Sequence, residues 1–270
     1  MSEAKAEQRV RVVKWREGEG AEESVDVLAA EEPLEIRVEG KAISVTMRTP
    51  GRDEELAAGF LLSEGLIKSR QEIASVGPCA KAGEGNVVEV RLRAGLAVDV
   101  ARLTRHVFAS SSCGICGKAT IDSVRQGFAP IQSAVKISAA TLLTLPGKLR
   151  EAQATFSKTG GLHAAGIFDR SGKILVLRED VGRHNALDKV LGYALLNGIS
   201  LDQAVLLVSG RTSFEIMQKA LAGRVPIVAA ISAPSSLAAE FAEEAGQTLV
   251  GFLRDGRFNL YAHPQRIALD

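Results

Sequence analysis

The sequence is poor in cysteine, balanced in charge and free of long apolar runs, and each feature excludes a class of protein. Its 270 residues include three cysteines, too few and an odd number for a secreted disulfide scaffold. With 33 basic and 32 acidic residues the net charge is +1, so no general attraction to nucleic acid or to a membrane surface is expected. No stretch approaches the roughly 18 apolar residues that span a bilayer, and the polar start MSEAKAEQRV lacks a signal-peptide core. We therefore expect a cytoplasmic protein with reduced thiols.

Three familiar ligand-binding motifs are also missing. There is no G-x-x-x-x-G-K-[ST] loop and no G-x-G-x-x-G after a strand, which argues against a P-loop NTPase and a dinucleotide-binding Rossmann unit. A zinc deaminase needs H-x-E followed by P-C-x-x-C. Here the cysteine pair precedes His163, and the residue two positions after this histidine is Ala165, which argues against deamination.

The hydrophobic pattern changes along the chain. LEIRVEG and AISVTMRTP predict a hairpin around Gly40 and Lys41, RDEELAAGFLLSEGLI predicts a helix, and NVVEVRLR predicts a strand. Later, the continuous apolar segments AVLLVSG and VPIVAAIS alternate with amphipathic helices, which is typical of a largely parallel sheet covered on both faces. A helix is predicted from Thr141 to Phe156, with Pro146 as a candidate interruption. The predicted divisions are a polar tail (1–9), a small α+β domain (10–108), a mobile cysteine loop with its following helix (109–130) and an α/β domain (131–270).

Three loops that follow predicted strands open helices. They cover residues 180–185, 210–213 and 233–236, and in a parallel sheet all three would emerge at the carboxyl ends of the strands. Free N–H groups at the helix starts, together with Arg183 and Arg211, predict a pocket for an anionic, phosphorylated ligand. The alternative is that the polar residues are helix caps and the arginines are solvated or paired.

Two histidines lie next to these loops. In FSKTGGLHAAG, Gly160 and Gly161 allow the backbone to approach a ligand, and His163 could donate a hydrogen bond, act as a base or bind a metal. His184 begins a predicted helix and has the same options. A purely structural role is the alternative for both.

SSCGICGKAT holds the remaining candidate chemistry, Cys113 and Cys116. The start of the following predicted helix and the charge of Lys118 would both stabilise a thiolate here. Such a nucleophile could carry sulfur as a persulfide. The alternatives are zinc, which would need Cys79 and histidines to complete its ligands, and a redox couple, for which the expected βαβ context is absent. We assign no metal ligand.

Taken together, these segments resemble the formate dehydrogenase accessory sulfurtransferases, and the resemblance covers nearly the whole chain. The most specific of them is EDVGRHNALDK (179–189). The others are GFLLSEGLI (59–67), CGICG (113–117), TGGLHAAG (159–166), SGRTSFE (209–215), SAPSSLA (232–238) and GFLRDGRFNLYAHPQR (251–266).

The resemblance implies a cytidine-deaminase-like three-layer α/β domain with a mostly parallel sheet, plus a smaller N-terminal α+β domain. It implies a homodimer that passes sulfur from a cysteine desulfurase to the molybdenum cofactor of formate dehydrogenase. Cys113 would carry the persulfide, and Cys116 would assist or resolve it.

The ligand that the resemblance implies is the molybdopterin guanine dinucleotide form of the cofactor, whose pyrophosphates suit Arg183 and Arg211. His163 and His184 are further candidate contacts. Two rival hypotheses stay open, a non-catalytic chaperone for the cofactor and a zinc-stabilised binding module. The cofactor-contacting segment of the family corresponds here to Phe252, Leu253, Arg254, Asp255, Gly256 and Arg257.

Overall fold

The computed structural model describes residues 6–79, 85–94 and 127–269. Within these ranges no helix is long and apolar enough to cross a membrane. The strands are β1 (Glu7–Arg16), β2 (Gly20–Ala29), β3 (Glu32–Val38), β4 (Lys41–Arg48), β5 (Ile73–Pro78), β6 (Val87–Leu92), β7 (Ile137–Ser138), β8 (His163–Phe168), β9 (Ile174–Asp180), β10 (Val205–Val208), β11 (Ile227–Ala230), β12 (Thr248–Arg254), β13 (Arg257–Ala262) and β14 (Ile267–Ala268). The helices are α1 (Asp53–Ser63), α2 (Ala139–Ala152), α3 (Ala154–Thr159), α4 (Arg183–Leu196), α5 (Phe214–Ala222) and α6 (Ser236–Glu244), with 3₁₀ turns at Arg70–Glu72 and Pro264–Arg266.

The predicted N-terminal hairpin is confirmed. Strands β3 and β4 pair up to Val38 and Lys41, and the two residues between them, Glu39 and Gly40, have φ of 50° and 78°. Positive φ at both central positions defines the type I′ turn that suits the twist of a hairpin. This hairpin is part of a sheet of order β4-β3-β6-β5 in the described residues, and helix α1 packs against its buried face.

A β-ribbon precedes this sheet and was not predicted. Strands β1 and β2 pair antiparallel from Glu7 with Ala29 to Arg16 with Gly20. The predicted polar tail 1–9 is therefore wrong from Glu7 onward, where strand pairing begins. Both faces of the ribbon are largely exposed, and Trp15 keeps 69% of its surface accessible. The alternation of β1 changes phase between Val12 and Val13, so neither face is consistently apolar and the half-buried pattern is missing. The other domain boundaries stay predictions.

The central sheet is mixed, which corrects the prediction of a mostly parallel one. Among the described strands its order is β13-β12-β11-β10-β8-β9. Only β10–β11 and β11–β12 are parallel, and the other neighbours are antiparallel. The three parallel strands are β10, β11 and β12. The β8–β9 hairpin pairs antiparallel beside β10, and β13 pairs antiparallel beside β12. The specific likeness to cytidine deaminases stays a prediction.

Helices cover both faces of this sheet, as the continuous apolar strands predicted. Alternate residues of β10 face opposite ways: Val205 and Leu207 pack with α2, whereas Leu206 and Val208 pack with α4, α5 and α6. Helix α2 continues through Pro146, so the predicted interruption there is wrong. Leu142 and Leu149, one turn on each side of the proline and fully buried, hold the helix on the sheet. The chain leaves the helical path instead at Gln153.

The N-terminal unit is fixed to the α/β unit where α1 crosses α4. Gly59 and Gly192 face each other across the crossing. A methyl group on Gly59 would overlap the Asp188 carbonyl of α4, and one on Gly192 would overlap the Glu55 carbonyl of α1. A buried ion pair lies beside this crossing, with Lys219 Nζ 2.8 Å from Asp188 Oδ2. The two units therefore pack backbone to backbone at this crossing.

Candidate functional site

The carboxyl ends of four strands meet at one edge of the central sheet. Because β8 is antiparallel to both β9 and β10, strands β9 to β12 run in one direction and the start of β8 lies at their carboxyl ends. The three predicted loops therefore converge, as expected for a ligand site in an α/β sheet. We call this edge the strand-end site; it comprises His163, residues 181–184, 209–213 and 231–235, and Phe252.

Backbone hydrogen bonds join neighbouring loops of the strand-end site. Thr212 N–H donates to the Ala233 carbonyl at 3.2 Å, and Ser235 N–H donates to the Thr212 carbonyl at 2.9 Å. Phe252 N–H donates to the Ser232 carbonyl at 3.1 Å. The loops after β10 and β11 and the last part of β12 thus form one connected surface.

The predicted histidines and Arg183 lie together on this surface. A methyl group on Gly210 would lie 3.3 Å from His163 Nδ1 and 3.7 Å from Arg183 Cδ, so Gly210 packs closely against both side chains. His184 Nε2 is 3.0 Å from Glu215 Oε2, which joins the start of α4 to the first turn of α5. Arg211 is exposed at the rim of the site.

The predicted alternatives for the polar residues were helix capping and ligand contact, and different residues of the site differ in this respect. The Ser235 hydroxyl accepts from Ala238 N–H at 3.2 Å and so caps α6, whereas Ser213 makes no capping bond to α5. Among the described residues, Arg183 Nε, Thr212 Oγ1 and Ser213 Oγ are buried without a hydrogen-bond partner. Buried polar atoms are normally satisfied, so a cluster of this kind at two helix starts indicates a place for an acceptor-rich ligand.

A cavity of about 440 Å³ opens beside His163. Sequence reasoning missed its two largest lining side chains, Arg150 and Phe156, whose guanidinium and ring are stacked 4.4 Å apart. Glu179 fixes this wall, because its carboxylate accepts from Thr155 and Phe156 N–H at 3.0 and 2.7 Å and so caps α3. The signal in the sequence was the Phe-x-x-x-Gly-Gly spacing before His163. The remaining lining residues are Gln153, Gly160, Gly161, Leu162, Ser209 and Ile231.

The predicted C-terminal segment forms the end of β12 and the turn to β13. Phe252 has a φ of 54°, which is a strained conformation for a bulky residue and is typical of functional positions. Leu253 is fully buried, so its side chain faces the core and not the site. Arg254, Asp255, Gly256 and Arg257 are exposed at the tip of the hairpin.

Cys113 and Cys116 lie outside the described residues, and so does most of the predicted loop 109–130. The free thiol of Cys79 is partly buried at the end of β5. In the part of the chain that the structure describes, no group of three or more His, Cys, Asp or Glu side chains could hold a metal ion. The zinc hypothesis, which needs the cysteine pair, stays untested.

Stability is expected to depend on pH through His163. Burial lowers the pKa of His163 below its ordinary value of 6.5, and nearby Arg183 and His184 lower it further. As pH falls below 6.5 the unfolded chain binds a proton that the folded chain does not, so the free energy of unfolding decreases with falling pH. His163→Gln should therefore lose less stability than the wild type between about pH 7.5 and 5.5 in urea unfolding. Equal losses in both proteins would contradict this assignment.

The fold and site define a mixed α/β protein in which buried, unpartnered polar atoms lie at the carboxyl ends of the central strands. The model described as the FdhD/NarQ family matches residues 29–268. The chain is 52% identical over 250 residues to the sulfur carrier protein FdhD of Mycolicibacterium paratuberculosis, covering 90% of this chain and 92% of that protein. It is 48% identical over 271 residues to the sulfur carrier protein FdhD of Streptomyces avermitilis, covering 97% and 96%.

A solved structure agrees with these relatives. The crystal structure of a protein described as a formate dehydrogenase accessory protein, from Desulfotalea psychrophila, superposes with a TM-score of 0.80 at 27% identity, covering 97% of this chain and 100% of that one. The chain belongs to the FdhD/NarQ family. The resemblance drawn from its motifs is confirmed.

Proposed function

We propose that this protein is a sulfur carrier that delivers sulfur to a molybdopterin guanine dinucleotide cofactor destined for formate dehydrogenase. Relatives at 52% and 48% identity that carry the name sulfur carrier protein support the sulfur-handling role. The observation that carries the ligand assignment is the set of buried, unpartnered polar atoms on Arg183, Thr212 and Ser213. The same proposal includes a cysteine desulfurase as the sulfur donor and a homodimeric assembly. It also includes a cytidine-deaminase-like fold and a cytoplasmic location.

The strand-end site suits a dinucleotide substrate in two respects. A pyrophosphate placed at the starts of α4 and α5 would receive hydrogen bonds from free N–H groups, from Arg183 and from the Thr212 and Ser213 hydroxyls. The adjoining cavity is lined by Phe156 and by the Arg150 guanidinium stacked on its ring, and a flat ring can stack against this pair. Phe252 and the hairpin tip that follows it provide a second contact surface at the same edge.

The chemistry is assigned to the cysteine pair. Cys113 thiolate attacks the outer sulfur of a desulfurase persulfide, the S–S bond breaks, and the desulfurase leaves as a thiolate. Delivery needs two electrons, because zero-valent sulfur becomes sulfide. Attack of Cys116 thiolate on the inner sulfur of Cys113 supplies them, since it forms a disulfide and releases hydrosulfide to the cofactor. A thiol reductant then restores both cysteines.

Removing arginines from the strand-end site should weaken nucleotide binding. Guanosine diphosphate is the nucleotide half of the proposed substrate and can be titrated by calorimetry. Arg183→Met and Arg211→Met should each raise its dissociation constant about tenfold or more, because each removes charge-assisted bonds to phosphate.

The matched control is Arg170→Met, because Arg170 is exposed in the β8–β9 turn at the opposite edge of the sheet. This variant should bind guanosine diphosphate like the wild type. Binding that is absent in the wild type, or that falls equally in all three variants, would contradict the proposed ligand site.

A further inference from the structure

Part of the motif EDVGRHNALDK points away from the strand-end site. Asp180 and Lys189 are buried, and Lys189 Nζ lies 2.7 Å from Asp180 Oδ2. The other Asp180 oxygen accepts from Gly182 N–H at 2.8 Å and from Asn185 Nδ2 at 3.0 Å. This fully buried carboxylate therefore organises the turn between β9 and α4.

The counterpart of this group is Thr49, in the connection between β4 and α1. Thr49 is 3% exposed, and each of its polar groups is used. Its N–H donates to Asp180 Oδ2 at 3.2 Å, its carbonyl accepts from Lys189 Nζ at 2.8 Å, and its hydroxyl accepts from Val181 N–H at 3.2 Å. Thr49, Asp180, Asn185 and Lys189 form what we call the Thr49 clamp.

The clamp acts on the residues that carry the ligand contacts. Val181 and Gly182 are the two residues before Arg183, and Gly182 lacks a side chain that could restrict the backbone. The Thr49 hydroxyl fixes the Val181 N–H, and Asn185 is held in turn because its Nδ2 donates to the Met47 carbonyl at 2.7 Å. The turn is thus bound on both sides to the end of β4, which belongs to the N-terminal unit.

We propose that Thr49 is a positioning residue for the strand-end site: its hydroxyl holds the Val181–Arg183 turn in the conformation that presents Arg183 to a phosphate. The inference rests on the proposed ligand. It assigns to the N-terminal unit a direct part in building the site, in addition to packing. Preorganisation of this kind raises affinity, because the cost of ordering the turn is met before the ligand binds.

The test compares Thr49→Val, which keeps the shape and removes the hydroxyl, with Thr49→Ser, which keeps the hydroxyl. Thr49→Val should raise the dissociation constant for guanosine diphosphate about tenfold and speed amide exchange of the 181–183 segment. Thr49→Ser should behave like the wild type in both measurements. Ile36→Val, a core change in the N-terminal sheet, controls for general loss of stability and should leave affinity unchanged.

Thr49→Val with wild-type affinity, or Thr49→Ser with the same loss as Thr49→Val, would overturn the inference. Wild-type protein that binds no guanosine diphosphate would contradict the proposed function instead. In that case amide exchange of the 181–183 segment still tests the role of the Thr49 hydroxyl. Unchanged exchange in Thr49→Val would overturn the inference.

Discussion

Cys113→Ala should lower the activation of formate dehydrogenase by about 100-fold or more while guanosine diphosphate still binds with wild-type affinity. The expected loss is large because alanine can neither attack a persulfide nor hold sulfur. Affinity is retained because the proposed ligand contacts come from Arg183, Thr212 and Ser213, which the substitution leaves intact. The measurement is formate dehydrogenase activity after maturation in a strain that carries each variant, paired with calorimetry on the purified protein.

The control for this prediction is Cys79→Ala. Cys79 is a free thiol at the end of β5, outside the cysteine pair, and its replacement should leave activation unchanged. Full activation by Cys113→Ala would favour the rival hypothesis, a chaperone that binds and delivers the cofactor without carrying sulfur. Loss of activation together with loss of nucleotide binding would point to damage to the fold.

Gly192→Ala should destabilise the folded protein by about 3 kcal/mol, the largest effect on stability expected from adding one methyl group. At Gly192 the new Cβ would overlap the Glu55 carbonyl and lie 2.8 Å from Gly59 N, so helices α1 and α4 would have to separate. The expected decrease in Tm is about 10 °C, measured by thermal unfolding. Gly59→Ala should act in the same direction, since its Cβ would meet the backbone of α4.

Gly147→Ala is the matched control. Gly147 also lies within a helix, α2, but a Cβ there would meet nothing within 4 Å. Its replacement should be neutral or stabilising by about 0.5–1 kcal/mol, because alanine favours the helix. A Tm for Gly192→Ala equal to that of Gly147→Ala would mean that the two helices do not pack backbone to backbone.

The sequence was most informative where one physical rule decides the outcome. Continuous apolar segments such as AVLLVSG predicted strands covered on both faces, and these strands did place their following loops at one edge. A hairpin around Gly40 and Lys41 followed from alternation alone, and the structure places its turn at Glu39 and Gly40. The direction of the strands did not follow from the sequence, because the apolar pattern of β8 is the same whether it pairs parallel or antiparallel. The sheet was therefore wrongly predicted to be mostly parallel.

Predictions failed where long-range packing overrode a local preference. Pro146 was a reasonable point of interruption, but Leu142, Leu145 and Leu149 bury the helix on both sides of it. In the site, residues 180–185 were recognised as polar and helix-initiating. Their contacts with Thr49 were not predicted, because Thr49 lies 131 positions from Asp180 and 132 from Val181 in sequence. No local pattern encodes such a contact.

The most direct test of the sulfur-carrier account is mass spectrometry of the purified protein after incubation with a cysteine desulfurase and cysteine. The account predicts a mass increase of about 32 Da, one sulfur atom, on the peptide that contains Cys113, removed by a thiol reductant and absent from Cys113→Ala. An unmodified Cys113 with the added sulfur on Cys79, or with no added sulfur on any cysteine, would contradict it.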